Sequence, residues 1–438
     1  MLFTKDQMKS IDAIKRGANV MITGPGGTGK TTIINHLVSI KDELMGPEKS
    51  LGVTAMTGAA AVLINGTTLH SYLGIGFGKG DVEDLVKKVM SKEKWKRKWQ
   101  DTKVLIVDEV SMLSADLLDK LNAIAKQVRR SDEPFGGMQI VFGGDFLQLP
   151  CIKGEFCFES SAWVECGFRV FHLTKIMRQS DTVFQECLNR ARFGEITDED
   201  LAYIAHSVPT KERIAEMPIK PTRILCENVD VDEINTRKLC ELPDENIYKY
   251  KYTVDYNMDN YNPRYHKYTF ADITKCCNAQ PELYLSLGAQ VMLLVNTDVK
   301  KGLVNGSRGV VVGFDEHMLT VNNKQKKRQI PIIQFANKEE TRMLVSYHGY
   351  EVKEGKKLVG VIYQIPLKLA YAITVHKSQG MTLDSAMINL KGVFEYGQAY
   401  VALSRVRMID NLFVKNITKT TFRAHPKALE FYKSIKHE

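Results

Sequence analysis

The stretch GPGGTGKTT at residues 24–32 constrains this chain more than any other. Gly24, Gly26, Gly27 and Gly29 let backbone N–H groups turn inward on an anion. The apolar run Asn19–Thr23 before the loop fits a buried strand, and Thr31–Leu37 after it opens a helix. That strand–loop–helix order is the setting a phosphate-binding loop requires. It predicts that Gly26, Gly27, Thr28, Gly29, Lys30, Thr31 and Thr32 surround the phosphates of ATP, helped by the positive end of the helix dipole. Lys30 is expected to reach the β- and γ-phosphates, and the Thr31 hydroxyl to ligate Mg²⁺.

A second apolar strand lies in KVLIVDEVSML, residues 103–113, and Asp108 and Glu109 sit where it ends. Ligands bind at the carboxyl ends of parallel strands. Asp108 therefore suits the Mg²⁺ shell, and Glu109 suits a base that orients and deprotonates water. A third strand, in MQIVFGGDFLQLP at 138–150, runs into a polar loop where Asp145 and Gln148 are expected to face the γ-phosphate, Gln148 as its sensor. Residues up to about 175 thus form one doubly wound α/β domain around ATP.

What the triphosphate drives is a separate question. The net charge of +9 over 438 residues fits a polyanionic partner and equally a solvated basic surface. No apolar run approaches the roughly 18 residues of a membrane span, and MLFTKDQMKS lacks the apolar core of a signal peptide. The eight cysteines form no CxxC pair, which argues for thiols in a reducing intracellular compartment, nucleus or cytoplasm, and against a zinc or iron–sulfur site. In VTAMTGAAAVLINGTTLHSYLGIG, residues 53–76, Thr57, Gly58, Thr67 and Thr68 offer compact donors to a phosphodiester backbone. His70 suits stacking or hydrogen bonding to a sugar or base, and equally a core position.

This last stretch resembles the DNA-contacting motif of the Pif1-family helicases. The resemblance continues through GGDFLQLP, LTKIMRQSDTVFQECLNRARFGEI (173–196), SLGAQVMLLVNTDVKKGLVNGSRGVVVGF (286–314), IPLKLAYAITVHKSQGMTLD (365–384) and GQAYVALSRVRMIDNL (397–412). Order and spacing fit a superfamily 1 helicase. The fold this implies is α/β, two tandem RecA-like lobes with small inserted subdomains. Residues 1–175 would form the first lobe, with a wedge-bearing insert at 77–100. Residues 176–294 and 361–438 would form the second, interrupted by an SH3-like β insert at 295–360.

The resemblance also implies roles. Gln7 would read the adenine edge, and Arg178 and Arg405 would neutralise charge at the γ-phosphate. Thr374, His376 and Lys377 would contact DNA, and Gln379 and Gly380 would approach the nucleotide. The implied activity is ATP-dependent translocation on single-stranded DNA and 5′→3′ unwinding of duplex or forked DNA by a monomer. DNA–RNA hybrids and G-quadruplexes are among its implied targets, and replication, repair, recombination or telomere maintenance its settings. A DNA-stimulated ATPase that displaces bound proteins without unwinding would keep every motif named. The compact length fits a helicase core of viral or microbial type, and Cys151 stands where relatives often have a second proline.

Three regions stay open on sequence alone. Trp95 and Trp99, four apart in the 77–100 insert, share a helix face and favour core anchoring over base stacking. The basic run Lys324–Arg328 suits phosphate contact or a solvated hairpin tip. The tyrosine-rich stretch within 241–285 has poor periodicity and favours packing.

Overall fold

The computed structural model describes residues 3–435 except 46–49, 77, 152–153, 207–210, 218, 227–228, 243–245, 257–279, 299–300, 302, 304, 322–323, 337–340 and 355–356. Cys276, Cys277, Asn322, Asn323 and much of the tyrosine-rich stretch lie outside the described residues. The chain divides into two units.

The first unit comprises Met1–Thr197, Phe394–Val401 and Lys419–Glu438. Among the described residues it is built on a six-stranded sheet of β1 (Val20–Thr23), β2 (Ser50–Ala55), β3 (Thr67–Thr68), β4 (Thr102–Asp108), β5 (Gln139–Gly144) and β6 (Arg169–His172). The order is β3-β2-β4-β5-β1-β6 and every pairing is parallel. Strand alternation sends Val20, Ile22, Val104, Ile106 and Val141 into one core with the helices Lys5–Lys15 and Lys30–Ser39. Met21, Leu105, Val107, Ile140 and Phe142 enter a second core on the other face. Burial on both faces explains why these strands are continuous apolar runs.

Helix Ala115–Arg129 covers that second face with Leu117, Leu118, Leu121, Ile124, Ala125 and Val128, a single helical stripe. Ser114 starts it by accepting the Leu117 N–H. The expected insert is a pair of helices, Val82–Met90 and Glu93–Asp101. Trp99 is wholly buried and its indole N–H donates to the Leu73 carbonyl at 2.9 Å, while Trp95 packs against the same core.

The expected edge of the first lobe lies near 175, and the unit that contains it also holds residues up to Thr197 and two later segments. The cause is specific anchoring. Helix Thr182–Phe193 is held through Arg192, and the C-terminal helix Pro426–Ser434 through Tyr432, both bonded to Asp145 beyond β5.

The second unit contains a parallel sheet of strands Thr222–Leu225, Ala372–Thr374, Ala386–Asn389 and Leu412–Lys415, in the order Ala372–Thr374, Thr222–Leu225, Ala386–Asn389, Leu412–Lys415. It also contains antiparallel structure. Strands Gln290–Leu293, Arg308–Val321, Lys324–Phe335, Arg342–Leu344 and Leu367–Leu369 form one sheet around a core including Val291, Leu293, Val311, Ile330, Ile333 and Leu367. This sheet draws in strands on both sides of 295–360. Lys327, in the basic run, lies on strand Lys324–Phe335 and forms an ion pair with Glu316 of strand Arg308–Val321 at 2.8 Å. Among the described residues no helix is long and apolar enough to cross a membrane.

Candidate active site

Strand β1 delivers the glycine loop to the carboxyl end of the sheet. Gly24 and Gly27 take φ of 142° and 86°. A Cβ on Gly24 would lie 2.2 Å from the Leu173 carbonyl oxygen, and one on Gly27 would lie 2.5 Å from the Arg178 Cβ. Side chains are excluded at both positions by backbone conformation and by space. The Met177 N–H donates to the Gly27 carbonyl at 2.8 Å, so the segment bearing Arg178 braces the loop within this first unit. Thr28 is buried and its hydroxyl donates to the Pro25 carbonyl at 3.0 Å.

Gln7 ties the first helix to this loop. Its Oε1 accepts the Thr4 N–H at 2.9 Å in a capping box, and its Nε2 donates to the Thr28 carbonyl at 3.0 Å. Those bonds leave the amide one N–H and one lone pair. Lys30 opens helix Lys30–Ser39, and its ammonium donates to the carbonyls of Gly24 at 2.7 Å and Pro25 at 2.9 Å. Burial pulls the Lys30 pKa below its ordinary value, against the opposing pull of Asp145, Glu109 and Asp108. A lysine so placed gains from an anionic ligand.

Asp108 ends β4 almost fully buried, and Glu109 follows it. Burial and then the Glu109 charge push the Asp108 carboxyl up to about 7, opposed by the Glu109 N–H, Lys30 and the Thr31 hydroxyl. The Glu109 N–H donates to Asp108 Oδ1 at 2.9 Å. Glu109 has φ 55° and ψ 44°, a left-handed conformation that costs a non-glycine residue about 1–3 kcal/mol. Such strain is common where a carboxylate must be aimed. The Thr31 hydroxyl, which lowers the pKa of the buried Asp108 carboxyl, makes with it a hard-oxygen pair that fits Mg²⁺, which takes one or two protein oxygens and completes its shell with water and phosphate. A dication would also relieve the crowding that raises Asp108.

The loop after β5 departs from expectation. Asp145 does not stand free for a γ-phosphate. It is fully buried and accepts two bonds from Arg192, at 2.9 and 2.8 Å. Tyr432 donates to it at 2.8 Å. A phenol has one proton, so the Thr23 hydroxyl, also bonded to Tyr432, is the donor in that pair. A carboxylate in so dry a position needs these partners. Gln148, buried beside it, donates from Nε2 to Asp145 Oδ2 at 3.4 Å. Sequence reading missed Arg192, Tyr432 and Tyr400. The Tyr400 hydroxyl accepts the Gly26 N–H at 3.0 Å. Arg192 and Tyr400 lie inside stretches that carry the family resemblance, but nothing local singles out either side chain, and Tyr432 lies outside every quoted motif.

The expected DNA-contacting residues of the first unit cluster at the β2–β3 edge. The Met56 N–H donates to the Asp108 carbonyl at 3.1 Å, linking this segment to the acid pair. Thr57 accepts the Ala60 N–H at 3.2 Å at the start of helix Gly58–Leu63, and Thr67 is exposed. His70 is half-buried, and desolvation lowers its pKa.

The other expected contacts belong to the second unit. Thr374 is buried, and its hydroxyl accepts the Lys377 N–H at 3.2 Å as the cap of helix Val375–Ser378, so it shapes the loop from beneath. Lys377 is exposed and His376 half-buried. Gln379 is buried, and Gly380 has φ 78°. Arg405 is buried, donating to the Ser404 hydroxyl at 2.6 Å and to the Ser378 and Met381 carbonyls at 3.4 and 3.5 Å. It is thereby attached to the loop that contains Gln379 and Gly380.

Comparison with known proteins agrees with this geometry. Residues 2–200 match the family model for PIF1-like helicase, and residues 272–314 match the DNA helicase Pif1, 2B domain. The chain is 37% identical to the ATP-dependent DNA helicase PIF1 of Xenopus laevis over 99% of its length, and spans 64% of that protein. It is 33% identical to the ATP-dependent DNA helicase RRM3 of Saccharomyces cerevisiae, covering 99% of this chain and 68% of the other. The crystal structure of Pif1 helicase from Candida albicans superposes with a TM-score of 0.77 at 32% identity, over 99% of each chain. Tandem RecA-like lobes account for the two parallel sheets. With a glycine loop, an acid pair and a loop-anchored arginine set in a likeness that runs the length of the chain, this protein belongs to the PIF1-like helicase family.

Proposed function

We propose that this chain is an ATP-dependent DNA helicase that moves 5′→3′ along single-stranded DNA and opens duplex or forked DNA. The observation that supports it most is the convergence of Lys30, Thr31, Asp108 and Glu109 at the carboxyl end of one parallel sheet. The glycine loop binds the triphosphate through its amides and Lys30. Gln7, already bonded to the loop, uses its remaining N–H and lone pair on adenine. Thr31 and Asp108 would hold Mg²⁺, which would neutralise phosphate charge. Glu109 aims and deprotonates the attacking water, and Gln148 senses the γ-phosphate.

Arg178 is already packed on Gly27, and Arg405 takes its role from its motif: both stabilise charge on the transferred group. Thr57, Gly58, Thr67, His70, His376 and Lys377 contact the strand, with Thr374 shaping their loop. Alternating strong and weak grip in step with hydrolysis converts turnover into movement.

ATP hydrolysis with and without single-stranded DNA tests the reading. The wild type is expected to be DNA-stimulated. Lys30→Ala loses turnover. Glu109→Gln binds nucleotide but turns over about 10²–10⁴-fold more slowly, the usual contribution of a general base. Undiminished turnover in Glu109→Gln would refute the assignment.

A further inference from the structure

Residues Phe394–Val401 belong to the first unit although they lie far along the chain. Gly397 has φ 71°, and a Cβ there would lie 2.6 Å from the carbonyl oxygens of both Leu147 and Gln148. Glycine alone lets this segment reach the Gln148 loop. Gln398 is wholly buried, and its Oε1 accepts the N–H groups of Phe394 at 3.1 Å and Glu395 at 3.4 Å. That turn starts helix Gln398–Leu403. Tyr400, on this helix, is 2% exposed and brings its phenol oxygen to the Gly26 N–H at 3.0 Å.

Gly26 lies inside the glycine loop, whose amides are the phosphate ligands on the reading above, and this inference rests on that reading. A single N–H cannot bond well to a phenol oxygen and a phosphate oxygen together. The charged acceptor makes the stronger bond. We propose that the Tyr400 hydroxyl stands in for a phosphate oxygen on the Gly26 amide, and that the phosphates of a bound nucleotide, ADP or ATP, displace it. Tyr400 is then a positioning residue. Its helix, Gln398–Leu403, is tied to the loop by this bond, so displacement of the hydroxyl frees that helix from the loop. The hydroxyl competes with nucleotide, and the competition is the signal.

Tyr400→Phe removes one oxygen and keeps the packing ring. Titration with ADP and with a non-hydrolysable ATP analogue is expected to show about fivefold tighter binding in this variant, since one net hydrogen bond no longer opposes the ligand. A residue that merely supported the loop would weaken binding when altered. Unchanged or weaker binding in a folded Tyr400→Phe overturns the inference. Should that variant not fold, hydrogen exchange on the wild type decides it. Adding ADP is expected to slow exchange in 24–30 and to quicken it in 396–403; no quickening in 396–403 overturns the proposal. Wild-type protein that binds no nucleotide overturns the ATP-site reading as well. Wild-type binding that is lost in Lys30→Ala, with Tyr400→Phe unchanged, overturns this inference alone.

Discussion

Arg192 grips Asp145 in a two-pronged ion pair that water does not reach, the side chains being 1% and 0% exposed. The guanidinium also lies over the Tyr432 ring, 4.6 Å from its centroid. Three remote segments therefore meet at one carboxylate: the loop after β5, helix Thr182–Phe193 and the C-terminal helix Pro426–Ser434. The same carboxylate bonds Gln148, and its charge acts on Lys30. The ion pair thus fixes the frame in which the phosphate loop and the Gln148 loop face each other.

Removing one partner leaves a buried charge without compensation. Arg192→Ala is expected to lose about 3–5 kcal/mol of stability in chemical denaturation. Burial alone would raise the Asp145 pKa, but the charge and hydrogen bonds of Arg192, aided by Lys30 and Tyr432, hold it below the ordinary carboxylate range. That stabilisation is complete above the unfolded-state pKa of about 3.9 and disappears as pH falls through the folded value. Melting temperature should therefore drop more steeply on acidification below about pH 4 in the wild type than in Asp145→Asn. Equal slopes would show that this carboxylate is not charged in the folded protein.

Trp99→Ala separates anchoring from base stacking in the Val82–Asp101 helices. The indole is wholly buried and bonded to Leu73, so truncation is expected to cost about 3–5 kcal/mol. Affinity of the folded variant for single-stranded DNA, measured by anisotropy, should match the wild type. Weaker DNA binding at unchanged stability would make Trp99 a stacking residue.

Lys377 is exposed on the loop capped by Thr374 and is expected to meet a phosphate. Lys377→Ala should weaken binding to oligonucleotides of any sequence. The slope of log K against log salt should fall by about 0.7, the share of one single-strand phosphate. An unaltered slope removes Lys377 from the contact set.

The parallel sheet, the glycine loop and the Asp108–Glu109 pair were legible because each is a local pattern. An apolar run ending in small or acidic residues says both where a strand lies and what stands at its end. The node at Asp145 was illegible for the opposite reason. Its partners are 47 and 287 residues away, and neither RARFGEI nor EFYK has a periodicity that announces a buried contact. Reading Asp145 as a phosphate-facing acid was reasonable from its place after β5. What reversed it was tertiary pairing with an arginine whose own helix looks amphipathic and ordinary. Gln7 and Thr374 show a milder version: their side chains shape the backbone around the site, as cap and tether, which motif resemblance does not reveal. The antiparallel sheet was visible as β-rich sequence at 295–360, but strands Gln290–Leu293 and Leu367–Leu369 beyond it are too short to be assigned to that sheet by pattern alone.

The most direct test of the whole account is strand displacement with ATP on duplexes bearing a single-stranded 5′ tail or 3′ tail. The wild type is expected to open the 5′-tailed duplex and leave the 3′-tailed one closed, and Lys30→Ala to open neither. Vigorous DNA-stimulated ATP hydrolysis with no displacement of either duplex would contradict it.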